Sequence, residues 1–167
     1  EGDVKGLLFG NPIDVRTDYG PQFLRFDVAG RTSALDIFRM AAIEVSPVLE
    51  GEADFFGKLQ LDMSGTRPAE LRLSTDLEGM AVNLPAQFGK DQEGRSQSVF
   101  DLFFADDYVR IDWQYKETKG WYQAANGLTE EVSQGAIGVN ASPLVVEPNY
   151  EGVVINGRVS KVDLADW

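Results

Sequence analysis

Carboxylate pairs are the only candidates for catalysis in this sequence, because it contains neither histidine nor cysteine. Without these residue types, Ser-His-Asp and Cys-His catalysis, imidazole and thiolate metal sites and disulfides are excluded. The adjacent acids are Asp106-Asp107 and Glu130-Glu131. Glycoside hydrolysis needs two carboxyl groups about 5–10 Å apart across a cleft, and no spacing in the sequence selects such a pair. We therefore predict a protein that is not an enzyme and has no metal ligands and no cofactor.

The charge of the chain excludes one large class of partners. It has 27 acidic and 15 basic residues and a formal net charge of −12. Because binding to phosphate backbones needs a basic surface, we expect no nucleic-acid partner. At 167 residues the chain fits one domain, and we expect residues 1–167 to form a single β-rich segment. The chain begins with Glu1 and ends on Trp167, which we interpret as a piece of a larger protein.

Apolar and polar residues alternate with a period of two along several stretches of the sequence. Leu71 and Leu73 fall on one side of a strand and Arg72 on the other, which is typical of a half-buried strand with its charged face in water. Three stripes of this kind are predicted to line one apolar face. They supply the candidate binding residues Leu59, Leu61, Met63, Leu71, Leu73, Val109, Ile111 and Trp113.

Turn residues divide the alternating stretches into hairpins. Gly65–Pro68 and Ala105–Asp107 are predicted to be turns, and Val82 and Leu84 are predicted to resume the strand that Gly79 interrupts. The apolar residues change phase late in the chain, which predicts a bulge near Ser160-Lys161.

One helix is predicted at 32–43, with Thr32 or Ser33 as its cap and Pro47 barring its continuation. The whole pattern predicts a mainly β fold: a long curved antiparallel sheet, shaped as a half-pipe or an open barrel, with this one short helix.

The apolar face of such a sheet must be covered by something. A compact domain would cover it with a second layer or a helix of its own, whereas an open trough would leave it for a ligand or partner. The aromatic residues Trp113, Tyr115, Trp121 and Tyr122 are interpreted first as packing residues. The alternative interpretation is an exposed platform for sugar or lipid.

Several short stretches, in order along the chain, carry a resemblance to one family. They are Leu8–Ile13, Ser74–Gly79, Val82–Pro85, Phe88–Lys90, Gly152–Val159 and Val162–Trp167. Together they resemble stretches of the YhdP-type AsmA-like proteins, although Gln87 stands where that family commonly has a second proline.

The resemblance implies a function. Proteins of that family are large, periplasmic and anchored in the inner membrane, and they resemble bridge-like lipid-transfer proteins with a twisted β half-pipe. It implies that this chain is one non-catalytic segment of such a half-pipe, with its anchor and neighbouring segments outside the chain. The eight stripe residues would then hold phospholipid acyl chains. The alternative is a compact β-sandwich module that binds carbohydrate or protein, and a closed two-layer core would distinguish it from an open trough.

Overall fold

The structure, a computed structural model, describes residues 2–8, 10–33, 35–36, 48–85, 87–125, 134–146 and 150–159. Almost all of the regular structure in these ranges is strand. The strands are β1 (Gly2–Leu8), β2 (Asn11–Tyr19), β3 (Phe23–Ser33), β4 (Leu49–Asp62), β5 (Ala69–Thr75), β6 (Met80–Val82), β7 (Ser98–Phe104), β8 (Tyr108–Tyr115), β9 (Thr118–Ala125), β10 (Gln134–Val139) and β11 (Gly152–Gly157).

These strands form one sheet in the order β1-β2-β3-β4-β5-β7-β8-β9-β10-β11, and β6 pairs separately with β4. Every neighbouring pair is antiparallel except β10 and β11, which are parallel. Because β1 and β11 each have only one neighbour among the described strands, the sheet is open. The predicted fold class, a mainly β protein built on one long and mostly antiparallel sheet, is confirmed.

The predicted turns lie where the hairpins reverse. Residues 63–68 connect β4 to β5, and residues 105–107 connect β7 to β8. In the first of these turns, Asp62 accepts hydrogen bonds from the backbone and hydroxyl of Ser64 and from those of Thr66, at 2.7 to 3.2 Å. The Asp62 carboxylate therefore stabilises by hydrogen bonds a turn that Gly65 and Pro68 favour through their backbone geometry.

The bonds from Ser64 and then Thr66 hold the pKa of Asp62 well below its usual range. A carboxyl group whose folded pKa is depressed stabilises the fold above its unfolded pKa, near 3.9, and loses that contribution as the pH falls toward the folded value. We expect Asp62→Asn to lower the thermal unfolding midpoint at pH 7, with the difference from the unchanged protein shrinking below about pH 4. Asp106→Asn, in the exposed β7–β8 turn, is the control. A difference that does not depend on pH would show that the charge of Asp62 has no part in the turn.

The predicted helix is described only at its beginning. Thr32 and Ser33 belong to β3, so the prediction that the helix starts at residue 32 is wrong, and Leu35 and Asp36 are helical. Ser33 does cap the helix start, since its hydroxyl accepts the backbone N–H of Asp36 at 3.1 Å and donates to the Asp36 carboxylate at 2.7 Å. The rest of the predicted helix, and the predicted bulge near Ser160-Lys161, lie outside the described residues.

The predicted continuation of β5 through Val82 and Leu84 is wrong. β5 ends at Thr75, Leu77 takes a positive φ of 56°, and the chain turns so that β6 pairs with the start of β4. Gly79 makes this possible because its φ is +91° and a Cβ there would press against the Glu52 carbonyl oxygen at 2.5 Å. Residues 76–85 and 87–97 therefore form a separate segment, which we call the cover segment.

Candidate functional site

The strand pairing places the predicted apolar stripes on one face of the sheet. Leu59 lies directly opposite Leu71, Leu71 opposite Leu102, and Leu102 opposite Ile111. Residues directly opposite each other on neighbouring strands share a face, with Cβ atoms about 4.5–5.5 Å apart. Extending this pairing to both edges assigns every strand residue to the side that carries Leu71, called the apolar face, or to the opposite side, called the outer face.

Two rows of the apolar face cross ten strands without a break. The Leu71 row consists of Gly2, Thr17, Phe26, Leu59, Leu71, Leu102, Ile111, Tyr122, Gly135 and Val153. The Leu73 row consists of Val4, Val15, Val28, Gly57, Leu73, Phe100, Trp113, Gly120, Ile137 and Ile155. Nine strand spacings of about 4.8 Å give each row a length of about 43 Å along the sheet.

No paired position on the apolar face carries a charged side chain in the described strands. The charges lie on the outer face instead, where Arg72 meets Asp101 at 3.3 Å and Arg16 meets Asp3 at 3.2 Å. Exposed ion pairs of this kind add little stability. They lie on one side of the sheet, and this separation of charge leaves the other side without charged side chains at its paired positions.

Most of the apolar face is only half buried. Leu59, Leu71, Leu73 and Ile111 are of intermediate exposure, and at the sheet edge Ile155 is 68% exposed. A closed two-layer core would bury central leucines of this kind almost completely. The fully buried apolar residues of the described part are few and mostly small, and the large rows are not among them. The described residues thus leave the middle of the sheet open on its apolar side.

The cover segment closes one end of the apolar face. Its residues Leu77, Met80 and Val82 form a buried cluster with Ala53 of the apolar face, and Met80 is 1% exposed. Tyr115, also on the apolar face, packs on this cluster and donates its hydroxyl to the Phe88 carbonyl oxygen at 2.8 Å. This buried cluster therefore lies at one end of the strands rather than over their middle.

Two lysines hydrogen-bond to backbone carbonyl groups of the cover segment, Lys116 from the β8–β9 turn and Lys90 from within the segment itself. The Lys116 ammonium donates to the Gly89 carbonyl oxygen, and the Lys90 ammonium donates to the carbonyl oxygens of Asp91 and Gly94 at 2.7 Å each. Burial lowers the pKa of Lys90, although nearby acids oppose the shift. These lysines satisfy loop carbonyl groups, and we assign them a structural role.

Seven of the eight predicted site residues lie together on the apolar face: Leu59, Leu61, Leu71, Leu73, Val109, Ile111 and Trp113. Met63 does not, because β4 ends at Asp62 and Met63 lies in the following turn, 64% exposed. The alternation of β4 ends one residue too early for the predicted stripe. The pairing also adds large apolar residues that are not among the eight predicted site residues, including Phe26, Phe100 and Leu102.

The aromatic residues are divided between the two faces. Trp113, Tyr115 and Tyr122 lie on the apolar face, whereas Trp121 lies on the outer face with the Arg110 guanidinium 4.7 Å from its ring centroid. The four residues therefore do not form one platform. Burial raises the pKa of both Tyr115 and Tyr122, so their hydroxyl groups stay neutral and the face stays uncharged near neutral pH.

Of the two acid pairs singled out in the sequence, the structure describes only one. Asp106 and Asp107 are exposed in the β7–β8 turn, and Glu130-Glu131 lies outside the described residues. Among the residues that the structure describes, no group of three or more acids is placed to hold a metal ion. In the part of the chain that the structure describes, no helix is long and apolar enough to span a membrane.

Comparison with protein-family models, with curated proteins and with solved structures gave no match.

Proposed function

We propose that this chain is a non-catalytic segment of a lipid-transport protein and that its apolar face holds the acyl chains of phospholipids. The observation that supports this most is the pair of unbroken apolar rows, ten strands wide, without a charged side chain and without a covering layer over their middle in the described residues. Exposed apolar surfaces of this extent belong to proteins that bind lipids, ligands or partners.

The mechanism is passive. Acyl chains lie along the rows, across the strands, and each buried CH₂ gains about 0.8 kcal/mol. Because the rows have no charged position, a chain meets no desolvation barrier as it moves from one strand to the next. Headgroups stay in water above the open side, and no side chain transfers a proton, an electron or a group.

The edges of the sheet suggest how this segment joins neighbouring segments of a larger protein. Among the described strands, β1 and β11 each have a neighbour on one side only, and both carry exposed apolar residues, Val4 at 59% and Ile155 at 68%. Unpaired edges readily accept another strand. We propose that neighbouring segments continue the rows there and that, as the resemblance to AsmA-like proteins implies, the protein works in the periplasm from an inner-membrane anchor.

Two tryptophans on adjacent strands test this function, because they report from opposite faces. Trp113 lies on the apolar face and Trp121 on the outer face. The variants W121F/W167F and W113F/W167F isolate the fluorescence of each. With phosphatidylcholine vesicles that carry brominated acyl chains, we expect strong quenching of Trp113 and little of Trp121. Vesicles without bromine are the control.

The outcomes of this experiment separate the hypotheses. Quenching of Trp121 alone would mean that lipid contacts the outer face and would overturn the assignment of faces. Quenching of neither would count against lipid binding and in favour of the compact carbohydrate- or protein-binding module.

A further inference from the structure

The large side chains of the apolar rows lie next to glycines. Gly120 is directly opposite Trp113 in the Leu73 row, and Gly135 is directly opposite Tyr122 in the Leu71 row. A glycine in the interior of a strand costs stability, because it adds backbone entropy to the unfolded chain and offers no side chain to pack. Glycines at these two positions therefore need a physical reason.

The indole of Trp113 lies on Gly120. A Cβ at Gly120 would be 2.5 Å from Cε2 and Cζ2 of Trp113 and 2.6 Å from its Nε1, which is too close for any side chain. Gly120 is itself buried. The ring therefore occupies the space that a side chain at position 120 would take. In the Leu73 row, the indole of Trp113 fills the place between β8 and Ile137 that has no side chain of its own.

The ring of Tyr122 on β9 lies on Gly135 of β10 in the same way. A Cβ at Gly135 would be 2.8 Å from Cδ1 of Tyr122. Both rings thus lean in the same direction, from β8 over β9 and from β9 over β10.

The position of the indole has a cost. Trp113 Nε1 is buried without a hydrogen-bond partner in the described part of the chain, although a tryptophan N–H normally finds one. A ring that stood away from the sheet could donate this N–H to water. The flat position therefore loses a hydrogen bond, and only the absence of a side chain at Gly120 allows the ring to take it.

We infer that Gly120 is a positioning residue that sets the clearance of the acyl-chain groove by letting Trp113 lie flat on the sheet. This inference rests on the proposed function. With a larger residue at position 120, the indole has to rise into the space above the Leu73 row, where a lipid chain would lie. The ligand class that fits is a flexible acyl chain, because the flattened row is smooth, uncharged and free of hydrogen-bonding groups that would fix a sugar.

The test uses a phosphatidylethanolamine with a fluorescent acyl chain as the probe. The affinity of this probe is measured for four forms of the protein: the unchanged protein and the variants Gly120→Val, G120V/W113A and Lys119→Val. We expect Gly120→Val to weaken binding by about tenfold or more, since overpacking forces the indole out of its place. The double variant G120V/W113A should return to within about threefold of the unchanged protein, because the blocking ring is gone. Lys119→Val, the neighbouring residue on the outer face, should leave affinity unchanged.

A second measurement distinguishes this positioning role from a merely structural one. In the W121F/W167F background, Gly120→Val should shift the emission maximum of Trp113 to longer wavelength, because the raised ring meets water. If Gly120 served stability alone, the double variant G120V/W113A would be less stable than Gly120→Val and would bind lipid no better.

Failure of the inference and failure of the proposed function give different results. Tight binding by the unchanged chain and equally tight binding by Gly120→Val, with no shift in emission, would overturn the inference and leave the proposed function standing. If the unchanged chain binds no probe, the proposed function falls and the inference falls with it.

Discussion

Leu73→Asp should abolish lipid transfer while the sheet stays folded. Leu73 lies in the middle of the Leu73 row, opposite Gly57 on one side and Phe100 on the other. A carboxylate there would be covered by any acyl chain that passes, and covering an unpaired charge costs several kcal/mol. That exceeds the gain of about 0.8 kcal/mol from each CH₂ in contact. The measurement is the rate of phospholipid transfer between donor and acceptor vesicles.

Two control variants accompany this prediction. Arg72→Gln changes the neighbouring residue on the outer face and should transfer lipid at nearly the normal rate. We prefer it to Arg72→Asp, because an Asp at position 72 would directly face Asp101. Leu73→Asn places a polar but uncharged group in the row and should have an intermediate effect.

Circular dichroism reports whether these variants keep their strands. Normal transfer by a folded Leu73→Asp variant would show that lipid does not travel along the Leu73 row. A photo-crosslinker placed at position 72 that captures lipid, beside one at position 73 that does not, would show that the lipid lies on the other face.

Met80→Ala should have the largest effect on stability of any truncation in the cover segment. Met80 is 1% exposed and packs with Ala53, Leu77 and Val82 in the buried cluster. Truncating a buried methionine typically costs about 2–5 kcal/mol, from lost transfer energy and from the cavity that remains. Against a total stability of about 5–15 kcal/mol this is a large share, and the described residues offer few other buried apolar side chains to replace it.

Met63 provides a matched control for this truncation. It is 64% exposed in the β4–β5 turn, so Met63→Ala should change the free energy of unfolding by no more than about 0.5 kcal/mol. Urea unfolding followed by circular dichroism measures both variants. Equal stability of the two would mean that the cover segment does not stabilise the sheet.

The order of residues within each strand is enough to show which side chains share a face. Because a strand places successive side chains on opposite sides, the alternation of Leu71, Arg72 and Leu73 can be read without knowing any partner strand. The turns at 65–68 and 105–107 were also predictable, because glycine, proline and aspartate favour turns through their own backbone and side-chain geometry. These properties depend on residues a few positions apart. This is why the fold class agrees with the structure and why seven of the eight stripe residues share one face of the sheet.

Which strands lie beside one another depends on contacts that form only in the folded protein. Nothing local to Met80–Val82 tells β6 to pair with the start of β4, because that pairing depends on Gly51 and Gly79 approaching across the fold. In the same way, the alternation of β8 cannot show that Trp113 will lie opposite a glycine of β9. A period of two assigns faces within each strand, but register and neighbours depend on contacts between residues distant in sequence. Whether the apolar stripes join into one continuous face was therefore decided only when the sheet assembled.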